Sequence, residues 1–320
     1  MITDPLDTKL HELQQKINEI SHDLKISNHL GNVTSQNGNV TSQAVVTLNK
    51  NLAMVSNVLL TLKDLILQDS TTQLSKTHKN PLNHYGQKCF SQTDEDGITI
   101  EIIRRLGIEK GVYAEYGVGN GSENNTLILA ALKWKGFWVG GQDILFPYEA
   151  VKGFHFIKDW ITLNNILTHT KTSLDKIGET AIDVISIDLD FNDYFFVEKL
   201  LSNSYRAKLF ILEYNAKFPP PVPFVVDYEE RYDYAAAHDD YFGASLQSFV
   251  DLMDRFDYKL VCCNAHTGAN AFFVDKKYSH LFSDTPVDIR DIYVPPRYVL
   301  FNFYGHQKRT MKTVYHLFNK

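Results

Sequence analysis

No aromatic residue precedes Tyr85 in this 320-residue chain, and no proline lies between Pro5 and Pro81. A segment so poor in large side chains does not build a globular core by itself. Cysteine is scarce as well. The three cysteines, Cys89, Cys262 and Cys263, are an odd number with one adjacent pair, which fits neither a disulfide framework nor a zinc spacing. Positive charge is not in excess: 38 acidic against 32 basic side chains leave a net charge of -6. A general nucleic-acid binder, which needs a basic face, is therefore not expected. Apolar runs stop well short of the roughly 20 residues of a membrane span. The start "MITDPLDTKL" lacks the basic head and apolar centre of a signal peptide. These absences together predict a reduced, cytoplasmic chain. With 44% hydrophobic residues it has enough for one sizeable core and an appendage.

The appendage is legible at the N-terminus. Leu6, Leu10, Leu13, Ile17, Ile20 and Leu24 follow the 4-3 spacing of an a/d seam, and Leu48, Leu52, Val55, Leu59, Leu62 and Ile66 form a second one. Between them stands a tandem repeat, "GNVTSQN" and "GNVTSQA", whose glycines and hydroxyl residues are poor helix formers. The two seams are out of phase, so the repeat is expected as weak helix, stutter or loop. The strict a/d spacing points to a homo-oligomer formed through these helices, over an amphipathic helix lying on its own domain. Residues 1–80 are thus read as a helical, coiled-coil oligomerisation segment and linker. The linker is "STTQLSKTHKNPLNHYG", and residues 81–320 form a second domain.

That second part alternates strand and helix. "GVYAEY", "GFWVGG", "IDVISIDLD", "AKLFILEYN", "YKLVCCN" and "NAFFVD" read as strands. "TLILAALKWK", "YFFVEKLLSN" and "ASLQSFVDLMDRF" read as helices, the last with Ser245 as N-cap. The fold class is α/β, a doubly wound and mostly parallel sheet. Ligands of such sheets sit at the carboxyl ends of the strands. Two stretches lie there. "EYGVGNGSENN" places Gly117, Gly119 and Gly121 between a strand and a helix, where a ligand can approach the backbone closely. Glu115 ahead of them is unusual for a nicotinamide site and suits the ammonium group of an amino-acid-like cofactor. "ISIDLDFNDY" ends a strand in Asp188 and Asp190, and "LEYNA" ends the next in Glu213 and Asn215. Carboxylates with an amide oxygen make a hard-oxygen site for magnesium, calcium or manganese. Asp193 reads as the N-cap of the following helix.

In order along the chain, "SQTDEDGI", "EYGVGNGSENN", "ISIDLDFNDY", "LEYNA", "GASL" and "GANAFFV" resemble the class I S-adenosylmethionine-dependent methyltransferases. The resemblance is to a bacterial group near the FkbM type, found among enzymes that modify surface polysaccharides and natural products. It covers roughly Tyr85 to Val274. It implies a Rossmann-like sheet of seven strands whose last, "NAFFVD", is antiparallel. It implies S-adenosylmethionine held by Gln92, Glu115, Gly117, Gly119, Gly121, Asn124 and Asp188. The acidic residue that normally ends the second strand and binds the ribose is replaced by Gly140 and Gly141, which leaves Gln142 or Asp143 for that role. Catechol-type and some sugar O-methyltransferases hold a divalent cation at the position of Asp188, Asp190, Glu213 and Asn215. Their lysine base is absent, since Phe191 stands there. Asp190, His238 and His266 remain as candidate bases, with Asp190 and His266 preferred. The expected activity is O-methylation of a hydroxyl-rich small molecule, a nucleotide- or lipid-linked sugar. The alternatives are a non-catalytic coiled-coil scaffold and another nucleotide-sugar-binding Rossmann enzyme. The loop "KFPPPVPFVVDYEERYDY" is expected to act as a lid.

Overall fold

The apolar spacing that predicts alternating strands and helices is realised as one sheet covered on both faces. The computed structural model of the chain describes residues 38–232, 240–265, 269–296 and 311–319. It divides into two units, Met1–Ile66 and Leu67–Lys320. In the first, the described part belongs to helix α1 (Gly38–Thr77), which carries the second seam. Val46, Leu52, Met54, Val58 and Leu65 are exposed on it. The second copy of the tandem repeat lies within this helix. The first seam and the first copy lie outside the described residues.

The expected linker is corrected. Residues 70–77 continue the helix. A single 3-10 turn follows at Pro81–Tyr85. Leu82 is fully buried. The amides of Asn80 and Asn83 donate to the carbonyls of Val261 and Cys263, both at 2.7 Å. Residues 80–83 are therefore part of the globular unit, anchored to its sheet.

The sheet has seven strands: β1 (Val112–Tyr116), β2 (Lys135–Gly140), β3 (Phe154–Lys158), β4 (Val184–Ile187), β5 (Leu209–Glu213), β6 (Tyr258–Cys263) and β7 (Asn270–Asp275). Their order is β3-β2-β1-β4-β5-β7-β6. All pairings are parallel except those of β7, which runs antiparallel to β5 and β6. The sheet has the seven strands expected, with "NAFFVD" antiparallel.

Alternate residues of the strands point to opposite faces. On one face Ala114, Phe137, Ile185, Phe210 and Phe273 pack in one core with residues of α4 (Ile166–Ile177), α5 (Asp193–Ser202) and α6 (Leu246–Arg255). On the other, Tyr113, Trp138, Val184, Ile211 and Phe272 share a core with Ile98, Ile102 and Ile103 of α2 (Glu95–Leu106). Helix α3 (Leu127–Ala131), the one after the glycine turn, is a single short turn and a half. Ser245 caps α6 by accepting from the Ser248 amide at 3.2 Å. A short helix α7 (Ile289–Ile292) and helix α8 (Met311–Asn319) complete the described elements.

Candidate functional site

Strand register aligns the sequence motifs into one row. Tyr116 pairs with Val139 of β2 and Ile187 of β4, Ile187 pairs with Leu212 of β5, and Glu213 pairs with Asn270 of β7. One residue further along, Gly140, Gly117, Asp188, Glu213 and Asn270 stand side by side across five strands, on the face covered by α2. The row begins with two residues lacking side chains and continues with three polar ones. Both glycines are required by the backbone. A Cβ on Gly140 would stand 2.3 Å from the Val118 carbonyl oxygen. Gly117 has a φ of 96° and lies hard against the Asp188 carbonyl.

The polar half of the row is a coupled acidic cluster. One carboxylate oxygen from each of Asp188, Asp190 and Glu213 lies within 4.8 Å of the others. Burial pushes the Asp188 carboxyl well above its usual range, and the charge of Asp190 adds to the push. Burial, followed by the charge of Asp188, does the same to Glu213. Asp190 has a positive φ of 62°, a conformation that disfavours non-glycine residues and turns the chain out of the strand. Its exposed surface is the wall of a cavity, so protein still surrounds it, and burial raises its carboxyl too. Like charges this close call for a proton or a cation between them.

The glycine turn is built differently from the expectation. Glu115 is buried, and its carboxylate accepts from the amides of Asn125 and Thr126 at 2.9 and 3.0 Å and from the Thr126 hydroxyl. Asn124 also donates to it. Glu115 and Asn124 therefore fasten the turn from inside and are absent from the cavity wall. Burial raises the Glu115 carboxyl, and these hydrogen bonds oppose the rise. The amides of Asn125 and Thr126 ahead of α3 are taken by this carboxylate. Gly121 packs against Trp138 and Ile144 behind the turn, whereas Gly117 and Gly119 line the cavity.

That cavity, of about 580 Å³, lies over the carboxyl ends of β1 to β4. Gly117, Gly119, Gly140, Gly141 and Gln142 line one side, with Asp188 and Asp190 on another. Gln142 is in the wall as expected. Asp143 is turned outward and pairs with Lys158 at 2.7 Å. Asp159 and Trp160, at the end of β3, are wall residues that the motif reading missed. The alternating "FHFIK" ahead of them is a strand signal that would have located them. Asp159 is held by the His169 ring at 2.9 Å, and the Trp160 indole donates to the Glu230 carbonyl at 2.7 Å.

Glu230 belongs to the expected lid, which contributes Arg231 and Tyr232 to the cavity. The Asn192 amide donates to the Glu229 carbonyl at 2.6 Å, and Tyr232 stacks on Phe191 with ring centroids 3.6 Å apart. Helix α8 supports the lid from outside, where Lys312 pairs with Glu229 at 2.8 Å.

Asn215 does not join the acidic cluster. Its amide nitrogen donates to the carbonyls of Asp240 and Phe242, and its oxygen accepts from the Lys217 amide. It fixes the base of the lid. Asp193 begins α5 without capping it, and one of its oxygens accepts from the Leu189 amide at 2.8 Å. Gln92 is exposed and outside the cavity wall. The acids beside it are structural. One oxygen of Asp96 accepts from the amides of Cys89, Phe90 and Ser91 and from the Ser91 hydroxyl. His238 and His266 lie outside the described residues.

No family model and no curated protein matches the sequence. Among solved structures, a protein provisionally named a hemolysin from Streptococcus thermophilus aligns at 8% identity over 59% of this chain and 69% of its own, with a TM-score of 0.37. The Burkholderia thailandensis 1,6-didemethyltoxoflavin N1-methyltransferase, with bound 1,6-didemethyltoxoflavin and S-adenosylhomocysteine, aligns at 12% identity over 55% of this chain and 74% of its own, with a TM-score of 0.33. The glycopeptide N-methyltransferase MtfA aligns at 12% identity over 60% of this chain and 94% of its own, with a TM-score of 0.34. Similarities this distant carry no argument about activity.

Proposed function

We propose that the chain is an S-adenosylmethionine-dependent O-methyltransferase for a hydroxyl-rich small molecule, a sugar of a surface polysaccharide being the acceptor favoured by the motif series. The observation that carries this reading is the row across the strand ends. Bare glycines on β1 and β2 open a cavity of about 580 Å³, a volume ordinary for a small-molecule site, and acids on β4 and β5 stand next to it. S-adenosylmethionine supplies a methyl group on a sulfonium, which an oxygen nucleophile displaces directly. Gly117 and Gly119 leave room at the backbone for this cofactor. Gln142, Asp159 and Trp160 offer an amide, a carboxylate and an indole face in the cavity wall.

The residues of the chain then align the acceptor and remove its proton. Without a cation Asp190 is the base, being the acid of the cluster most open to the cavity. Asp188, Asp190 and Glu213 would hold a divalent cation, which lowers the pKa of a coordinated hydroxyl. The donor set fits, since it is all oxygen and crowded with like charge. Arg231 and Tyr232 close the acceptor side from the lid. Self-association is assigned to the seam on α1. Among the described residues no helix is long and apolar enough to cross a membrane, and the cytoplasm is the proposed location.

Titration calorimetry with S-adenosylhomocysteine tests the core of this reading. Binding of one equivalent per chain is expected. A folded protein that takes up none would leave the scaffold alternative standing.

A further inference from the structure

The acidic cluster continues onto β7, where the sequence pattern names no ligand. Asn270 is the antiparallel partner of Glu213, so their side chains share a face, with Cβ atoms about 5 Å apart. Asn270 is 6% exposed. Its amide nitrogen donates to a Glu95 carboxylate oxygen at 3.2 Å. An acceptor-only partner on that side fixes the orientation of the amide, so the nitrogen faces Glu95 and the oxygen faces away from it. That oxygen, Oδ1, is buried and has no hydrogen-bond partner. An orphaned acceptor at such a position carries a desolvation penalty unless something binds it. Glu95 is held in turn by the Thr93 hydroxyl and the Asn264 amide, at 2.9 Å each, so the side of Asn270 away from the cluster is locked.

We propose that Asn270 Oδ1 is the amide oxygen of the cation site, which takes Asp188 and Asp190 from the end of β4, Glu213 from β5 and Asn270 from β7. This rests on the proposed cation reading and changes its fourth donor. Asn215 has the residue type that the sequence pattern asks for, but its side chain is engaged by Lys217 at the base of the lid and by the carbonyls of Asp240 and Phe242. Asn270 has the same functional group in the row itself, next to Glu213, with its oxygen free. A neutral donor there adds an oxygen without adding to the negative charge already gathered in the cluster. The ligand class is a divalent ion that prefers oxygen, of the magnesium or manganese kind.

The test is direct binding of Mn²⁺ to the full-length protein, followed by loss of the free-ion electron paramagnetic resonance signal, with no acceptor present. The wild-type chain is expected to bind one ion. Asn270→Ala, with its fold checked by thermal melting, is expected to weaken binding tenfold or more. Asn270→Asp, made together with Glu95→Gln so that an amide and not a second carboxylate faces it, keeps an oxygen in place and adds charge, and is expected to bind at least tenfold more tightly. A purely structural asparagine would not produce that gain. Wild-type chain that binds no Mn²⁺ overturns the cation reading as a whole. Wild-type binding with an unchanged Asn270→Ala overturns the role of Asn270 and leaves the three carboxylates. If Asn270→Ala does not fold, the double variant decides alone: equal or weaker binding than wild type removes Asn270 from the site.

Discussion

A Cβ on Gly117 would stand 1.6 Å from the main-chain carbonyl oxygen of Asp188. The cofactor-side turn and the acidic strand end are thus in backbone contact, with no side chain between them. Gly117→Ala must break that contact and also place alanine at a φ of 96°. A loss of about 3 kcal/mol or more in urea unfolding is expected. Gly119→Ala is the control, because a Cβ there meets nothing within 4 Å. It should unfold like the wild type and weaken only S-adenosylhomocysteine binding. Equal stability of the two variants would mean that the turn and the strand end can move apart.

Asp190→Asn and Glu213→Gln remove charge from the acidic cluster without changing its shape. Both are expected to abolish transfer of radiolabelled methyl groups into the small-molecule fraction of cell extract. Affinity for S-adenosylmethionine should stay within about tenfold, or about 1.4 kcal/mol. Full transfer by both variants would return these residues to a structural role.

Asp193 gives a pH signature. Burial raises its carboxyl from 3.8 to about 7, and one of its oxygens has no partner. Between those two values the unfolded chain has lost the proton and the folded chain has kept it. Stability therefore falls as pH rises through that window. Asp193→Asn keeps an oxygen for the Leu189 amide and has no charge to bury. It is expected to be more stable than wild type at pH 8 by on the order of 3 kcal/mol, and equal to it near pH 3.5. Urea titrations at the two pH values check this, and a variant that is less stable at pH 8 would show that the ionised Asp193 has a partner.

The anchor at residues 80–83 sets where the chain can be cut. A chain starting at Leu67 should fold and bind S-adenosylhomocysteine as the full chain does. One starting at His84 loses Leu82 from the core and two amide-to-carbonyl bonds to β6. About 4 kcal/mol of stability should go with them. Identical melting temperatures for the two truncations would contradict the anchor.

Leu52 is 60% exposed on α1 and belongs to the a/d seam. Leu52→Lys together with Leu59→Lys places charge in that seam and should lower the mass measured by light scattering. An unchanged mass would exclude the second seam as the oligomer contact.

Six of the seven strands and the Ser245 cap follow from local spacing, and the antiparallel last strand and the meeting of Asp188, Asp190 and Glu213 from the motif series and the resemblance it carries. Facing was harder to read. Glu115 is the last residue but one of β1 and Asp188 directly follows β4, yet Glu115 is locked beneath the turn by the amides of Asn125 and Thr126. Asn215 and Asn270 are the same residue type near strand ends, and only pairing register separates the lid support from the member of the row. The helix after the glycine turn was overextended because "TLILAALKWK" is apolar enough to continue, while its last residue already begins β2. Asp159 went unnoticed because β3 carries none of the motifs.

The row and the lid are attached to the protein in different ways, and this bears on how the activity could diversify. The row depends on main-chain contacts at Gly117 and Gly140, which almost no substitution can satisfy. The lid is held by replaceable side chains, among them Asn192, Trp160 and Lys312. Exchanges at Arg231, Tyr232 and their supports can therefore accumulate without disturbing the strand ends. In a lineage of such proteins, acceptor preference would drift through the lid while the chemistry beneath it stayed fixed.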